Sequence, residues 1–293
     1  MKKKFNYETV IHLIICLILL LFAVLCILPI IHVLFSSLSD PKLLSANKGL
    51  VLWPLGKPTL EGYRLVFKNS SLVRGYLNTL IYVVSGTGIG MMLTIFAAYF
   101  LSRKNVPGGK FITFLITFTM LFSGGLIPTY LVISKLGMLD TIWAIILPNC
   151  VSVFNIMIMR TSFKTIPDGI VEAAEIDGAG HFQVLFRVVL PVSKSILAVV
   201  TLFYVIQHWN SWFHTAIYVK KRELFPLQIL LREIVLQNST QALADGNEPD
   251  QLNLMKMLVK YAVIMVSIVP MMAIYPFAQR YFVSGVFVGS IKE

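Results

Sequence analysis

Charged residues are scarce in this sequence. Only 13% of the 293 residues are Asp, Glu, Lys or Arg, about half of the roughly 25% usual in soluble domains, whereas 57% are apolar. So few polar side chains could not cover the surface of a water-soluble protein of this length, and disordered chains are poor in apolar residues. The composition therefore predicts an integral membrane protein that crosses the bilayer several times.

The sequence also lacks the residue patterns of several catalytic and binding classes. Its three cysteines lie inside apolar runs, so we interpret them as packing residues and expect no metal site. No G-x-x-x-x-G-K-[ST] loop occurs, so we expect no ATP hydrolysis by this chain and no cofactor in it. The 25 basic residues outnumber the 14 acidic ones, but no arginine-rich run accompanies them. We therefore assign the excess charge to loops near lipid headgroups rather than to nucleic acid.

Long stretches without charge predict the membrane spans. About 20 apolar residues cross the hydrocarbon core as a helix. Six windows of 19 or more residues contain no Asp, Glu, Lys or Arg, and they are 10–39, 75–102, 111–134, 141–159, 195–219 and 261–279. Since ion-coupled carriers usually keep a charged group inside their spans, this absence argues against an ion-driven carrier that works alone.

The distribution of basic residues predicts the topology. The short segments 1–9 and 103–110 are rich in lysine and arginine, which favours a cytoplasmic location. With six spans, both termini and the loop 160–194 are then cytoplasmic, and segments 40–74 and 220–260 lie outside.

Two features inside the spans have competing interpretations. Gly86, Gly88 and Gly90 in the second span are expected to allow close helix packing. The fifth span contains polar groups among aromatic rings, which suit either a sugar path or a hydrogen-bonded seam between helices, and we leave both open. The candidates for the path are His208, Trp209, Asn210 and Trp212, with Asn149 in the fourth span.

The inner loop 160–194 predicts a short helix outside the membrane. Thr165 is the predicted cap, and Gly178 with Gly180 is predicted to end the helix. Helical spacing forms an acidic stripe of Asp168, Glu172 and Glu175 and a separate apolar stripe of Ile166, Ile170 and Ala174. Because helices on membrane surfaces usually present basic residues to lipid, the acidic stripe favours a basic protein partner.

This loop resembles the EAA loop in permease subunits of bacterial ABC importers. The family pattern EAA-x3-G-x9-[IV]-x-L-P matches Glu172-Ala173-Ala174, Gly178, Val188 and Leu190-Pro191 at the correct spacing, which has a chance on the order of 10⁻⁸ per start point. Asn78-Thr79-Leu80 and the ending from Gln279 to Lys292 are also similar to carbohydrate-uptake permeases. Within these permeases the sequence resembles the maltose-permease G-subunit type, in its branch for complex polysaccharides and uronate oligosaccharides.

The resemblance implies an all-α, six-span type I importer fold with a cytoplasmic coupling helix, in the bacterial inner membrane. It divides the chain into two parts. Residues 1–74 contain the N-terminal tail, the first span and an outer loop, and residues 75–293 form the permease core, which ends in a tail at 280–293. Its implied partners are a second permease subunit, two copies of a cytoplasmic ATPase that binds ATP and Mg, a solute-binding protein outside the membrane, and an oligosaccharide substrate. The implied coupling residues are Asp168, Glu172, Ala173, Ala174, Glu175, Asp177, Gly178, Leu190 and Pro191.

We therefore predict a non-catalytic pore subunit of an ATP-driven oligosaccharide importer. Two alternatives are an importer permease for another solute and a stand-alone carrier or channel. The EAA loop argues against the stand-alone protein, which has no use for an ATPase docking site.

Overall fold

Helices account for the regular structure of the described chain. The computed structural model describes residues 7–104, 106–241 and 250–290, and no strand occurs in those ranges. The α-helices are α1 (Tyr7–Leu38), α2 (Pro41–Ala46), α3 (Glu61–Lys68), α4 (Ser70–Ser102), α5 (Gly109–Leu121), α6 (Leu126–Lys135), α7 (Trp143–Ile146), α8 (Val153–Lys164), α9 (Asp168–Ile176), α10 (His181–Val184), α11 (Leu190–Val192), α12 (Lys194–Trp209), α13 (Phe213–Tyr218), α14 (Leu227–Gln241) and α15 (Asp250–Ser290). Two 3₁₀ turns (Leu147–Asn149 and Arg222–Leu224) and a π-helical turn (Leu185–Val189) connect some of them.

The apolar windows do not all form straight helices. Three segments, Val10–Leu38, Ser70–Ser102 and Asn253–Pro276, are each long and apolar enough to cross a membrane as one helix. Three further pairs are bent: α5 with α6 by 113°, Trp143–Asn149 with α8 by 44°, and His181–Val192 with α12 by 87°. The described residues therefore give three spans, or up to six if each bent pair counts as one.

Local sequence explains two of these bends. Between α5 and α6, Gly125 has a φ of +87°, which interrupts the helix at a residue without a Cβ. Between α7 and α8, Pro148 lies in a 3₁₀ turn and cannot donate a helical hydrogen bond. The fifth window differs from the prediction in another way, because α12 ends at Trp209 and a separate short helix begins at Phe213.

The predicted outer segment 220–260 is mostly helical where it is described. It contains α14 and the first part of α15. Residues 242–249 of this segment and residues 291–293 of the predicted tail lie outside the described residues.

The described residues divide into two compact units. The first comprises the described parts of Met1–Val73 and Leu231–Val269. Leu44, Val51 and Leu258 form its buried core. The side chain of His32 belongs to this unit, where its Nδ1 accepts a hydrogen bond from the backbone N–H of Val51 at 3.0 Å.

The second unit comprises the described parts of Arg74–Leu230 and Pro270–Glu293. Its core joins α4, α8, α9 and α12 through Ala98, Met159, Val171 and Tyr204. The hydroxyl of Tyr204 is buried but satisfied, because it shares a hydrogen bond with Thr94 at 2.7 Å and accepts one from the N–H of Ser152 at 3.1 Å. This core holds the inner loop 160–194 against the helices.

The glycine prediction in α4 is confirmed at two of the three positions. A Cβ on Gly90 would lie 2.8 Å from the carbonyl oxygen of Cys150, and a Cβ on Gly86 would overlap the ring of His208. Gly88 has open space instead. Gly86 and Gly90 are four residues apart on one helix face, so they allow the close approach that the spacing predicts.

Candidate coupling surface and polar patch

The predicted helix of the inner loop exists as α9, but its start differs from the prediction. Thr165 does not cap α9. It ends α8, where its hydroxyl donates to the carbonyl of Ser162 at 2.8 Å. Pro167 takes the N-cap position, with φ −57° and ψ 132°, and Asp168 is the first helical residue. The fixed φ of proline suits this helix entry, and Asp168 supplies negative charge in the first turn.

The end of α9 agrees with the prediction at Gly178 only. This glycine has a φ of +83°, and its N–H donates to the carbonyl of Glu175 at 3.0 Å. A residue with a Cβ rarely adopts that backbone conformation, which explains the glycine. Gly180 instead starts α10, where its N–H donates to the side chain of Gln183 at 3.0 Å.

The surface of α9 is acidic with an exposed apolar edge. Glu172, Ala173 and Glu175 are exposed, and Ile176, one turn after Glu172, is 85% exposed. On the opposite side, Val171 is buried in the core and Ala174 is half-buried against it. The helix therefore presents carboxylates around apolar side chains, whereas helices on membrane surfaces usually present basic residues to lipid.

The remaining residues of the motif differ in exposure. Asp177 and Pro191 are exposed, whereas Leu190 packs against the core beside the π-helical turn. Val189 in that turn is fully buried. The second half of the motif thus packs the segment that follows α9 against the core of the second unit.

Lys104 and Asp168 connect the inner loop to the end of α4. The Nζ of Lys104 lies 2.5 Å from Oδ2 of Asp168, across 64 residues of sequence. This hydrogen bond and the negative charge of Asp168 raise the pKa of the Lys104 ammonium. Both groups are exposed, so the pair orients α9 more than it stabilises the fold.

The polar residues predicted for the sugar path occupy two different environments. Buried His208 lies against Gly86 in the seam between α12 and α4, and buried Trp209 packs edge-to-face on Tyr76 at 6.0 Å. Asn210 is exposed and ends α12. His208 and Trp209 therefore lie in a seam between helices, but at His208 the seam is not the hydrogen-bonded one expected, because neither ring nitrogen has a hydrogen-bond partner among the described residues.

The exposed side of this helix end carries a polar patch, which we define as Asn149, Gln207, Asn210, His214 and Gln228. The amide nitrogen of Asn149 donates to Nδ1 of His214 at 2.9 Å, and Gln207 donates to the carbonyl of Asn149 at 3.2 Å. Gln228 donates to Asn210 at 3.4 Å. Trp212, half-buried, packs on Phe213 at 5.6 Å beside the patch.

A comparison with known families decides what class of protein carries these surfaces. Residues 67–288 match the family described as binding-protein-dependent transport system inner membrane component. This chain belongs to that family. The match includes α9 and the polar patch, so both surfaces are parts of a transporter permease.

Individual relatives of this permease transport carbohydrates. It is 36% identical over 282 residues to the polygalacturonan/rhamnogalacturonan transport system permease protein YtcP of Bacillus subtilis, covering 94% of this chain and 95% of that protein. It is 27% identical to the maltodextrin transport system permease protein MdxG of the same organism, covering 93% and 94%. A chain in the crystal structure of a bacterial ABC transporter involved in the import of the acidic polysaccharide alginate is similar with a TM-score of 0.85 and 29% identity, covering 96% and 100%.

Three contributors to these surfaces were missed from the sequence of the permease. Val171 lies outside the predicted apolar stripe, although it is the residue of α9 that is buried. Lys104 and Gln228 are far in sequence from their partners Asp168 and Asn210, so local spacing could not identify them. The only signals of these contacts in the sequence were the positive charge of Lys104 and the amide group of Gln228.

Proposed function

We propose that this chain is the membrane-spanning pore subunit of an ATP-driven importer that moves oligosaccharides into the cytoplasm. The observation that supports this proposal most directly is the exposed surface of α9, on which Glu172 and Glu175 lie beside Ala173 and Ile176. Membership of the family supports a complex with a solute-binding protein and an ATPase. The proposed complex contains a second permease subunit and two copies of that ATPase, whose sites hold ATP and Mg.

The α9 surface is proposed to dock on the cytoplasmic ATPase. A carboxylate at a protein interface forms its most favourable contact with arginine, through charge-assisted hydrogen bonds. The exposed Ile176 adds apolar area that would leave water on binding. Movement of the ATPase would then pass through Val171 into the core of the second unit, because that side chain contacts the core on which α4 and α12 pack.

The proposed topology follows from the same assignment. If α9 contacts a cytoplasmic ATPase, the basic segment 103–110 is cytoplasmic as well, because Lys104 pairs with Asp168. Both termini are then proposed to be cytoplasmic. Segments 40–74 and 220–260 would face the solute-binding protein.

Acidic oligosaccharides are the proposed substrate class. This choice rests on relatives named for polygalacturonan and rhamnogalacturonan transport and on the alginate importer. The polar patch and Trp212 are proposed to border the path, since amide groups and an aromatic face suit sugar hydroxyls and C–H faces. His208 and Trp209 are proposed to act indirectly, by fixing the helix that carries Asn210.

The docking proposal is tested by reversing one charge on α9. Glu172→Lys should release the ATPase from the purified complex, because losing one member of a hydrogen-bonded charged pair that becomes buried in the interface costs about 2–5 kcal/mol. Glu8→Lys is the matched control, since Glu8 is an exposed acid in the first turn of α1 in the other unit and lies outside the segments proposed to face the binding protein. Co-purification and sugar-stimulated ATP hydrolysis should be lost in the first variant and kept in the second.

The substrate proposal needs a separate assay. The complex reconstituted with its binding protein should hydrolyse ATP faster with oligogalacturonate than with a neutral oligosaccharide of equal length. Asn210→Ala should reduce this stimulation while the complex still assembles. Stimulation by amino acids or peptides and not by any sugar would overturn the substrate class, and normal coupling in Glu172→Lys would overturn the docking site.

A further inference from the structure

A cationic cavity lies at one end of the second unit. It has a volume of about 620 Å³ and lies among the last turn of α4, the first turn of α5 and the last turn of α8. Five basic residues line it, and they are Arg103, Lys104, Lys110, Arg160 and Lys164. No acidic side chain lines the cavity within the described part of the chain. Such a concentration of positive charge around one cavity favours an anionic ligand.

Several of these charges are held in place by contacts inside the protein. The guanidinium of Arg103 lies 4.6 Å from the ring centre of Tyr99, and its buried Nε has no hydrogen-bond partner among the described residues. The Nε of Arg160 donates to the carbonyl of Leu101 at 2.9 Å, which leaves the other guanidinium nitrogens available. Since Lys104 is paired with Asp168, the net positive charge comes from the two arginines and from Lys110 and Lys164.

The start of α5 adds backbone donors to the same cavity. Gly108, with a φ of +70°, takes the N-cap position, and no side chain caps this 13-residue helix. The first N–H groups of a helix have no partner within it and carry partial positive charge. The N–H of Gly109 is not one of these donors, because it bonds the carbonyl of Val106 at 3.0 Å. Gly108, Gly109 and Lys110 all line the cavity, so the next N–H, that of Lys110, lies beside the basic side chains.

An apolar cleft lies along the same three helices. It has a volume of about 480 Å³ and is lined by Leu93 and Ala97 of α4, Leu115 and Ile116 of α5, and Val153 and Ile156 of α8, among others. On each helix these residues lie one to two turns from the residues that line the cationic cavity. The cleft shares no lining residue with the cationic cavity, but it neighbours that cavity on the same three helices, in the part of the unit that is apolar enough to cross a membrane.

The two cavities together match the two halves of a phospholipid. We propose that α4, α5 and α8 bind one anionic phospholipid, with its phosphate in the cationic cavity and an acyl chain along the apolar cleft. Basic pockets between membrane helices on the cytoplasmic side suit anionic headgroups. A soluble phosphate compound would bind the basic side chains but leave the apolar cleft empty. An acidic protein segment would likewise bind the charges without favouring contact with the apolar cleft.

The headgroup part of the site is tested by removing two exposed lysines. The complete transporter is purified, stripped of lipid and mixed with phosphatidylglycerol or phosphatidylcholine, and bound lipid is counted by native mass spectrometry. Lys110→Gln with Lys164→Gln should weaken phosphatidylglycerol binding by roughly fivefold for each charge, or about thirtyfold together. Lys68→Gln with Lys135→Gln removes the same charge from exposed positions elsewhere and should leave binding unchanged.

The acyl-chain part is tested by filling the cleft. Ala97→Leu extends a side chain into it and should also weaken phosphatidylglycerol binding. Glycerophosphate, which has the same phosphate group without acyl chains, should not compete. Any one of three results would overturn the proposal. The two lipids could bind equally, glycerophosphate could compete fully, or phosphatidylglycerol could bind the lysine double variant and Ala97→Leu as well as it binds the native protein. The readout is bound lipid rather than transport, so it stays informative if the proposed function is wrong.

Discussion

Substituting alanine for Gly86 would test the packing between α4 and α12. An added Cβ would lie 2.5 Å from Nε2 and 2.8 Å from Cδ2 of His208, and it would also overlap Cε1. His208 is 1% exposed, so its ring is enclosed by the protein and cannot move aside into solvent. The helices must therefore separate, or the ring must leave its position, to admit one methyl group.

The same helix supplies a matched control. Gly88 is two residues away, and a Cβ there would meet no atom within 4 Å. Both substitutions gain about 0.5–1 kcal/mol of helix propensity, because alanine loses less backbone entropy than glycine. That gain cancels when the variants are compared. The remaining difference is the cost of overpacking, which is typically about 1–3 kcal/mol.

The assay is the thermal stability of the purified complex in detergent, followed by size-exclusion chromatography after heating. Gly86→Ala should lower the midpoint by several degrees relative to Gly88→Ala, since about 1 kcal/mol corresponds to roughly 2–4 °C in a domain of 150–250 residues. His208→Ala should remove the overlap. In a double-mutant cycle, Gly86→Ala should then cost less in the His208→Ala background than in the native one.

Two results would refute this reasoning. Equal midpoints for Gly86→Ala and Gly88→Ala would mean that the helices do not approach closely at Gly86. Strict additivity in the cycle would mean that the cost of Gly86→Ala does not arise from the His208 ring. Either result would reopen His208 as a residue that faces the transport path.

Three further predictions concern the loops. Gly178→Val should impair sugar-stimulated ATP hydrolysis more than Gly178→Asn, because the φ of +83° costs a residue with a Cβ about 1–2 kcal/mol and asparagine tolerates it best; equal impairment would contradict this. Asp140 accepts hydrogen bonds from the N–H groups of Lys220 and Lys221, which lower its pKa below the usual 3.8. Its stabilising contribution should therefore be present above that value and disappear as the pH falls through the lower folded pKa, and acid-unfolding curves of Asp140→Asn should lack this component. In intact cells without the native cysteines, an impermeant thiol reagent should label Lys57→Cys but not Glu175→Cys, and the reverse pattern would contradict the proposed topology.

The class of protein could be predicted from the sequence because the relevant information is local. The uncharged windows indicate membrane helices whatever their packing, since each backbone polar group in lipid must be satisfied within its own helix. The EAA motif specifies residues at fixed separations within one loop, so Glu172 and Gly178 could be assigned without knowing the fold. Gly178 also shows how a single backbone requirement identifies a helix end.

Contacts between distant segments were decided by the tertiary structure. Residues 207–214 mix polar and aromatic side chains in the sequence, but α12 ends within them, so that His208 is buried against Gly86 while Asn210 is exposed. Spacing alone could not distinguish these environments, because the identity of the facing helix determines which side of α12 is buried. The break after Trp209 likewise depends on packing around the helix end.

The cationic cavity shows the same limit more clearly. The basic residues of segment 103–110 predicted that this segment is cytoplasmic. That prediction needs no knowledge of the other helices, because it depends only on the basic residues next to a span. Only the fold brings Arg160 and Lys164 of α8 beside that segment and places Asp168 on Lys104. The sequence therefore determined the membrane class, the family motif and the charge of each loop. The packing of α4, α5 and α8 decided which of those charges share a cavity. This matters because charges act on a ligand according to their distance in space and not their separation in sequence.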